Sequence, residues 1–396
     1  MAYTVVIDPG HGGDEFHGGE FGPYIEKDID LIVSNVIKSR LEEYDDVNVY
    51  LTRTGDYPVD LKQRCDIAKA YNADLFVSVH FNLSSLHNLY GSEVFLPIQK
   101  SYYQKLYPLG TYLMENFDNM GIYNRGIKTR VGKNGDNYYA VIKYAANYGI
   151  PGCIIEHCHM DNPKDNIFLP IGNSVSYQNS LINFGINDAE AIAKYLKLKS
   201  SKLGVDYSNL KGAAPSKLSG KVLPDESAPE INEIKVASFD PTNGNLVLNM
   251  KAVDKQSYIL YYQYSFDGGY SFSALLPWPR NTWNCSQDEY TVTLNAPVNR
   301  NLNVVTRVYN SFDVTKDSNV ISILSGTKIA NVSVMLPQND EAATQNIIVS
   351  MLDRGKTSDS FSYTNNFTLD IVFAFVLIGF GIRLLLKHIF KNDKTR

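Results

Sequence analysis

Val5-Val-Ile-Asp-Pro-Gly-His11-Gly-Gly13 is the stretch that decides how the first half of the chain is read. Val5, Val6 and Ile7 make an uninterrupted apolar run, the pattern of a short strand buried on both faces of an α/β sheet. Asp8-Pro9-Gly10 ends that strand, because Pro removes a backbone donor and Gly lets the chain turn. His11 is therefore expected just past the carboxyl end of a central strand, where open α/β sheets carry their ligands. The glycines that follow let the backbone bend closely around whatever the imidazole holds.

Further strands and helices alternate outward from this point. Glu26-Lys-Asp-Ile-Asp-Leu31 opens a helix whose Ile29, Ile32, Val33, Val36, Ile37 and Leu41 share one face. Val47-Asn-Val-Tyr-Leu51 reads as a second strand, with Thr52-Arg53-Thr54 in a loop after it, and residues 61–72 as a helix carrying Arg64. Ala73-Asp-Leu-Phe-Val-Ser-Val79 is a third strand, again ending on a histidine, His80. Gly91-Ser-Glu-Val-Phe-Leu96 is another strand and 103–120 another helix, and Asn124-Arg-Gly-Ile-Lys128 follows without an assigned element. Ala140-Val-Ile142 leads into a helix or loop. Ile150-Pro-Gly-Cys-Ile-Ile155 is a buried strand that delivers Glu156, and a helix over 189–198 closes the region. The pattern predicts a doubly wound, mostly parallel twisted sheet with helices on both faces, spanning 1–199.

The remainder of the 396 residues changes character. Residues 200–228 are rich in Ser, Lys, Gly and Pro and read as a linker. Short alternating segments over 229–325, with turn signals at Asn243-Gly244 and Asp267-Gly-Gly269, indicate an immunoglobulin- or fibronectin-like β-sandwich. Trp278 and Trp283 within it are assigned to packing rather than to stacking on sugars. A polar stalk is expected over 326–366. Ile371-Val-Phe-Ala-Phe-Val-Leu-Ile-Gly-Phe-Gly-Ile382 is charge-free, and with Leu384-Leu-Leu386 it makes 367–390 a candidate transmembrane helix. Arg383, Lys387, Lys391, Lys394 and Arg396 make the far side of that helix, including the tail at 391–396, basic and by expectation cytoplasmic. Residues 1–10 show no basic segment followed by an apolar one, so no secretory signal is seen there.

A net charge of −5 gives no reason to expect a nucleic-acid partner. Cys65, Cys153, Cys158 and Cys285 form no CxxC pair, which argues against a zinc knuckle or a thioredoxin-type motif. They read as free thiols, Cys153 and Cys158 on opposite faces of one strand.

The chemistry lies elsewhere. Two strand ends deliver His11 and His80, a third delivers Glu156, and Glu26 begins the first helix. Strand ends of a twisted sheet converge on one edge, so these side chains can share a crevice. Two imidazoles and a carboxylate are the ligand set of several catalytic zinc sites, with a fourth position left for water. A second carboxylate outside the metal shell serves as proton shuttle. Residue type alone leaves open which glutamate is ligand and which is base.

Seven motifs in register now narrow the reading. Asp8-Pro-Gly-His11-Gly-Gly13, Glu26-Lys-Asp-Ile-Asp-Leu31, Leu51-Thr-Arg53-Thr, Leu61-x-x-Arg64, Ser78-Val-His80-Phe-Asn82, Asn124-Arg-Gly-Ile and Ile154-Ile-Glu156 together resemble the zinc-dependent N-acetylmuramoyl-L-alanine amidases of the type 3 family, over residues 3–198. The resemblance implies one zinc ion held by His11, Glu26 and His80, with Glu156 as the catalytic carboxylate. It implies hydrolysis of the amide between N-acetylmuramic acid and the L-alanine of the peptidoglycan stem. Arg53 and Arg64 are expected to be structural. A cell-membrane location with the catalytic region facing the wall follows as an expectation, with the sandwich as a spacer or as a binder of wall or protein.

The chain departs from the family after Glu156. The family has a small residue, Gly and an aromatic before Asn-Pro, where this chain has His157-Cys-His-Met-Asp-Asn162-Pro163. His157 and His159, two apart on an extended chain, are expected to share a face, with no metal-ligand role assigned. His17 and His87 are expected to be exposed. Two other readings are an inactive peptidoglycan- or partner-binding protein and a zinc peptidase acting on stem peptides.

Overall fold

Six strands form the first sheet in the computed structural model, which describes residues 2–13 and 19–330. They are β1 (Tyr3–Pro9), β2 (Val47–Leu51), β3 (Leu75–Asn82), β4 (Ser92–Phe95), β5 (Asn124–Lys128) and β6 (Gly152–His159), in the spatial order β2-β1-β3-β6-β4-β5. Every neighbouring pair is parallel except β4 with β6, so the sheet is mixed rather than purely parallel. Period-two alternation splits the central strands between two apolar layers. Val5, Ile7, Val77, Val79 and Ile155 pack with α1 (Glu26–Leu41), α3 (Lys100–Asn119) and α5 (Ser174–Leu196). Val6, Phe76 and Ile154 pack on the other face with α2 (Leu61–Ala70) and α4 (Ala140–Asn147).

Three sequence readings need completing or correcting. Asn124–Lys128 is the edge strand β5, buried at all five positions although it holds Arg125 and Lys128, because both cations meet carboxylates. The last helix starts at Ser174, not 189. Its first half is rich in Asn and Ser, and it is held by the Asn173 cap on the Ser176 N–H (3.1 Å) and by burial of Leu181, Phe184 and Gly185.

The third correction concerns β6. Its pairing with β3 runs His80 to Glu156 but Asn82 to His159, two residues against three. That is a β-bulge, and it inverts the alternation beyond it. Cys153 and Cys158 thus both enter the layer under α1, α3 and α5, not opposite faces. His157 enters that layer too, ringed by Phe81, Phe117 and Phe184, while His159 turns to the other side.

Residues 199–228 run along the first unit rather than hanging free: the Val222 N–H donates to the Ile98 carbonyl (2.8 Å). Beyond them, β7 (Ile231–Asp240), β8 (Asn245–Val253) and β11 (Glu289–Asn295) form one antiparallel sheet. Facing it is a second, with β10 (Leu276–Pro277), β9 (Ile259–Ser265), β12 (Leu302–Asn310) and β13 (Thr315–Asp317) in that order, and β14 (Ile321–Ile323) paired to β12. Leu246, Leu248 and Met250 of the first meet Ile259, Val304 and Val308 of the second in a single core that includes Trp278. Trp283 instead packs on the core of the first unit.

Cys65, Cys153 and Cys158 are buried free thiols and Cys285 is exposed. The candidate membrane helix at 367–390, the basic tail, most of the stalk and His17 lie outside the described residues. Among the described residues no helix is long and apolar enough to cross a membrane.

Candidate metal centre and active site

The carboxyl ends of β1 and β3 carry His11 and His80, and α1 begins between them with Glu26. His11 Nε2 lies 3.1 Å from Glu26 Oε2, and His80 Nδ1 lies 3.0 Å from Glu26 Oε1. The two imidazole rings meet edge to face with centroids 5.0 Å apart. Glu26 is buried at the first position of its helix, where the unpaired N–H groups favour a negative charge. Phe81 N–H donates to its Oε1 (3.1 Å). Burial works to raise the Glu26 pKa, but the hydrogen bonds from His11 and His80 prevail and hold it at about 2. Burial pulls the His80 pKa down, which favours the neutral imidazole that a metal requires.

Sequence reasoning missed a fourth group. Asp30 lies one helical turn after Glu26, so both project from one face of α1. One donor atom each from His11, Glu26, Asp30 and His80 falls within 4.8 Å of the others. Asp30 is wholly buried and neither of its oxygens has a hydrogen-bond partner. Burial, followed by the Glu26 charge, pushes its pKa far up. The available signal was an Asp inside the apolar stripe of Ile29, Val33 and Ile37. A buried carboxylate without a partner, beside a second carboxylate and two imidazoles, is a donor set suited to a divalent cation.

The loops leave no slack around this cluster. A Cβ on Gly10 would sit 2.3 Å from His80 Cε1 and 2.7 Å from Asp30 Oδ2, so only glycine passes between them. Gly19, at φ +57, would place a Cβ 1.6 Å from Glu26 Oε2. His11 itself has φ 54, an unfavourable value for a residue with a side chain. Two buried arginines hold it there. Arg53 donates to the carbonyls of Pro9 (3.1 Å), Gly10 (2.6 Å) and Lys27 (2.6 Å), tying the His11 loop to the start of α1. Arg64 donates to the carbonyls of Pro9 (2.6 Å) and His11 and pairs with Asp8 (2.9 Å). Their contacts are internal, in keeping with the structural role expected for them.

Glu156 stands beside this group. His80 of β3 and Glu93 of β4 are its register partners on either side, so the three form a row across adjacent strands. Its Oε2 is buried without a hydrogen-bond partner. Burial, then the charges of Glu26 and Glu93, raise its pKa strongly. A carboxyl of raised pKa with a free oxygen, next to a metal-type cluster, is equipped to carry a proton.

The extra histidines do not join the cluster. His157 donates from Nδ1 to the His80 carbonyl (2.9 Å), and its Nε2 lies 2.6 Å from Asp188 Oδ2. His159 donates from Nδ1 to the Gly91 carbonyl (3.0 Å). His87 is exposed but not idle, since its Nδ1 lies 2.7 Å from Asp161 Oδ2.

Comparison with known proteins meets this geometry. The family model described as N-acetylmuramoyl-L-alanine amidase (Amidase_3) matches residues 5–187. An endolysin of Bacillus phage SPP1 is 31% identical over 208 residues, which cover 52% of this chain and 70% of the phage protein. The chain belongs to the N-acetylmuramoyl-L-alanine amidase family. LytC of Bacillus subtilis, named as such an amidase, is 29% identical over 169 residues, or 41% of this chain. The chain spans less than a third of the first curated relatives: 22% of AmiC of Escherichia coli and 30% of LytC. Among solved structures, the amidase AmiC2 of Nostoc punctiforme is 31% identical across 97% of its own length and 49% of this chain, with a TM-score of 0.40.

Proposed function

We propose that this chain is a zinc-dependent peptidoglycan hydrolase that cleaves the amide between N-acetylmuramic acid and the L-alanine of the stem peptide. The observation that carries the reading is the cluster of His11, Glu26, Asp30 and His80 with Glu156 next in the row. His11, Glu26 and His80 would hold the ion, and Asp30 lies within reach as a further donor. When bound, zinc supplies a water of pKa about 7 and polarises the scissile carbonyl.

The chain's own residues do the rest. Glu156 takes the proton of the attacking water on its free oxygen and returns it to the amide nitrogen as the C–N bond breaks. The leaving L-alanine departs as a neutral amine, and the lactyl group keeps the water oxygen as a carboxylic acid, whose remaining proton then passes to solvent or to the amine. Gly10, Arg53 and Arg64 hold His11 and His80 at the separation that the chemistry needs. A substrate in the wall would put the catalytic unit at the cell surface, and the charge-free run at 371–382 would serve as its membrane anchor.

Digestion of purified peptidoglycan by the full chain with zinc tests the reading. Mass spectrometry should show intact stem peptides with a free L-alanine amino group. Cleavage within the stem instead makes the protein a peptidase.

A further inference from the structure

A cavity of about 410 Å³ opens between the first sheet and the sandwich. Glu93, Lys128, Arg130 and Tyr139 line it from the sheet side, and Phe312 and Asp313 from the turn between β12 and β13. Glu93 is the register partner of Glu156, so the cavity begins one strand beyond the proton-carrying carboxyl. Its size suits a small peptide segment.

Position says which part of the substrate belongs there. The row runs His80, Glu156, Glu93. The scissile carbonyl must lie toward His80, and the nitrogen that receives the proton toward Glu156. The peptide that continues from this nitrogen then runs past Glu156 to Glu93 and the cavity.

Charge says which group is recognised. Three cations line the cavity. Arg125 is bound to Glu93 (2.9 Å) and Asp313 (2.7 Å), and Lys128 to Glu93 (2.6 Å). Arg130 has no carboxylate partner among the described residues. Its guanidinium stacks on Tyr138, 3.8 Å from the ring centroid, and Nη1 reaches the Tyr139 hydroxyl at 3.4 Å. Stacking holds the fork in one orientation while leaving N–H groups for a planar anion. Two lining carboxylates have no cation partner among the described residues. Asp225 is held by hydrogen bonds from Ser227 and Asn310, and Glu226, like Arg130, is exposed, where water screens it.

We infer that this cavity receives the stem peptide on the amine side of the scissile amide, and that Arg130 binds a carboxylate of that peptide. The sandwich thereby forms one wall of the substrate site. This rests on the amidase reading given above.

The test uses the full chain and two muropeptides, one with a free carboxylate on the residue after L-alanine and one with that carboxylate amidated. Arg130→Ala should raise KM about tenfold on the free acid and leave kcat within about twofold, as expected for a partly exposed charged hydrogen bond. On the amidated compound it should change neither. Arg130→Lys should recover part of the KM. Equal loss on both compounds, no loss on either, or an effect on kcat alone overturns the inference. If the wild-type chain cleaves neither compound, the amidase reading fails on its own. Calorimetric binding of the two peptides to wild type and Arg130→Ala then still decides the subsite: a preference for the free acid that the variant loses supports it, and equal binding overturns it.

Discussion

The imidazole of His157 joins Asp188 of α5 to the backbone carbonyl of His80, with contacts of 2.6 and 2.9 Å. All three groups sit in or against the main core, which His157 enters on the same side of β6 as Cys153 and Ile155. A residue outside the metal-type cluster thus fixes the strand end that carries one of its members.

Asp188→Ala should therefore act on two quantities at once. It leaves a buried imidazole without its partner, at a cost of about 3 kcal/mol. It also loosens the support of His80, for which a 10- to 100-fold loss of zinc affinity is the usual order. Urea denaturation and a zinc competition titration measure the two effects. Zinc affinity equal to wild type in a folded variant would contradict the positioning role.

His159 predicts a pH dependence of stability. Burial, then the neighbouring Arg125 charge, lowers its pKa from 6.5 to about 4. The unfolded chain therefore takes up a proton between these values and the folded chain does not. Stability from this group is present in full above pH 6.5 and is lost as pH falls toward 4. Urea midpoints between pH 7.5 and 4.5 should fall less in His159→Gln than in wild type. An unchanged pH slope would remove His159 as the cause.

Asp313 carries much of the junction between the two halves. It pairs with Arg125, which is 1% exposed and also reaches the hydroxyl of Tyr261. Asp313→Ala leaves two buried cations facing Glu93 alone, and should cost about 3 kcal/mol. The sandwich should then separate from the first unit at lower denaturant, read as a second step in the unfolding curve. A single transition at the wild-type midpoint would contradict this.

Asp30→Asn should have opposite effects with and without metal. Burial raises the Asp30 pKa well above normal, so its ionisation destabilises the folded metal-free chain as pH rises. Removing the charge should raise the melting temperature in chelator at alkaline pH, and lower the stabilisation gained on adding zinc. A variant that matches wild type in both conditions would take Asp30 out of the centre.

The sequence carried the frame of this molecule because its central strands are apolar runs ended by Pro, Gly or His, and those ends name the site. His11, His80 and Glu156 were legible for that reason, and Glu26 from its place at the opening of the first helix. Asp30 was not, because one carboxylate on a helix looks solvent-facing until the helix is packed. Asn124–Lys128 hid as a strand because its charges are neutralised by Glu93 and Asp313, which are distant in sequence. The bulge between Glu156 and His159 reversed the faces of Cys158 and His159, since counting by twos assumes an unbroken ladder. The cavity wall from the sandwich depends on how two units dock, which no local pattern encodes.

In the proposed mechanism Glu156 moves the proton while a metal held by its neighbours prepares the water. The most direct test is Glu156→Gln in the full chain, with bound zinc and the rate of stem-peptide release measured on the same sample. Zinc content should equal that of wild type and the rate should fall by about 10²- to 10⁴-fold. A zinc-loaded Glu156→Gln protein that releases stem peptides within a few-fold of the wild-type rate would contradict it.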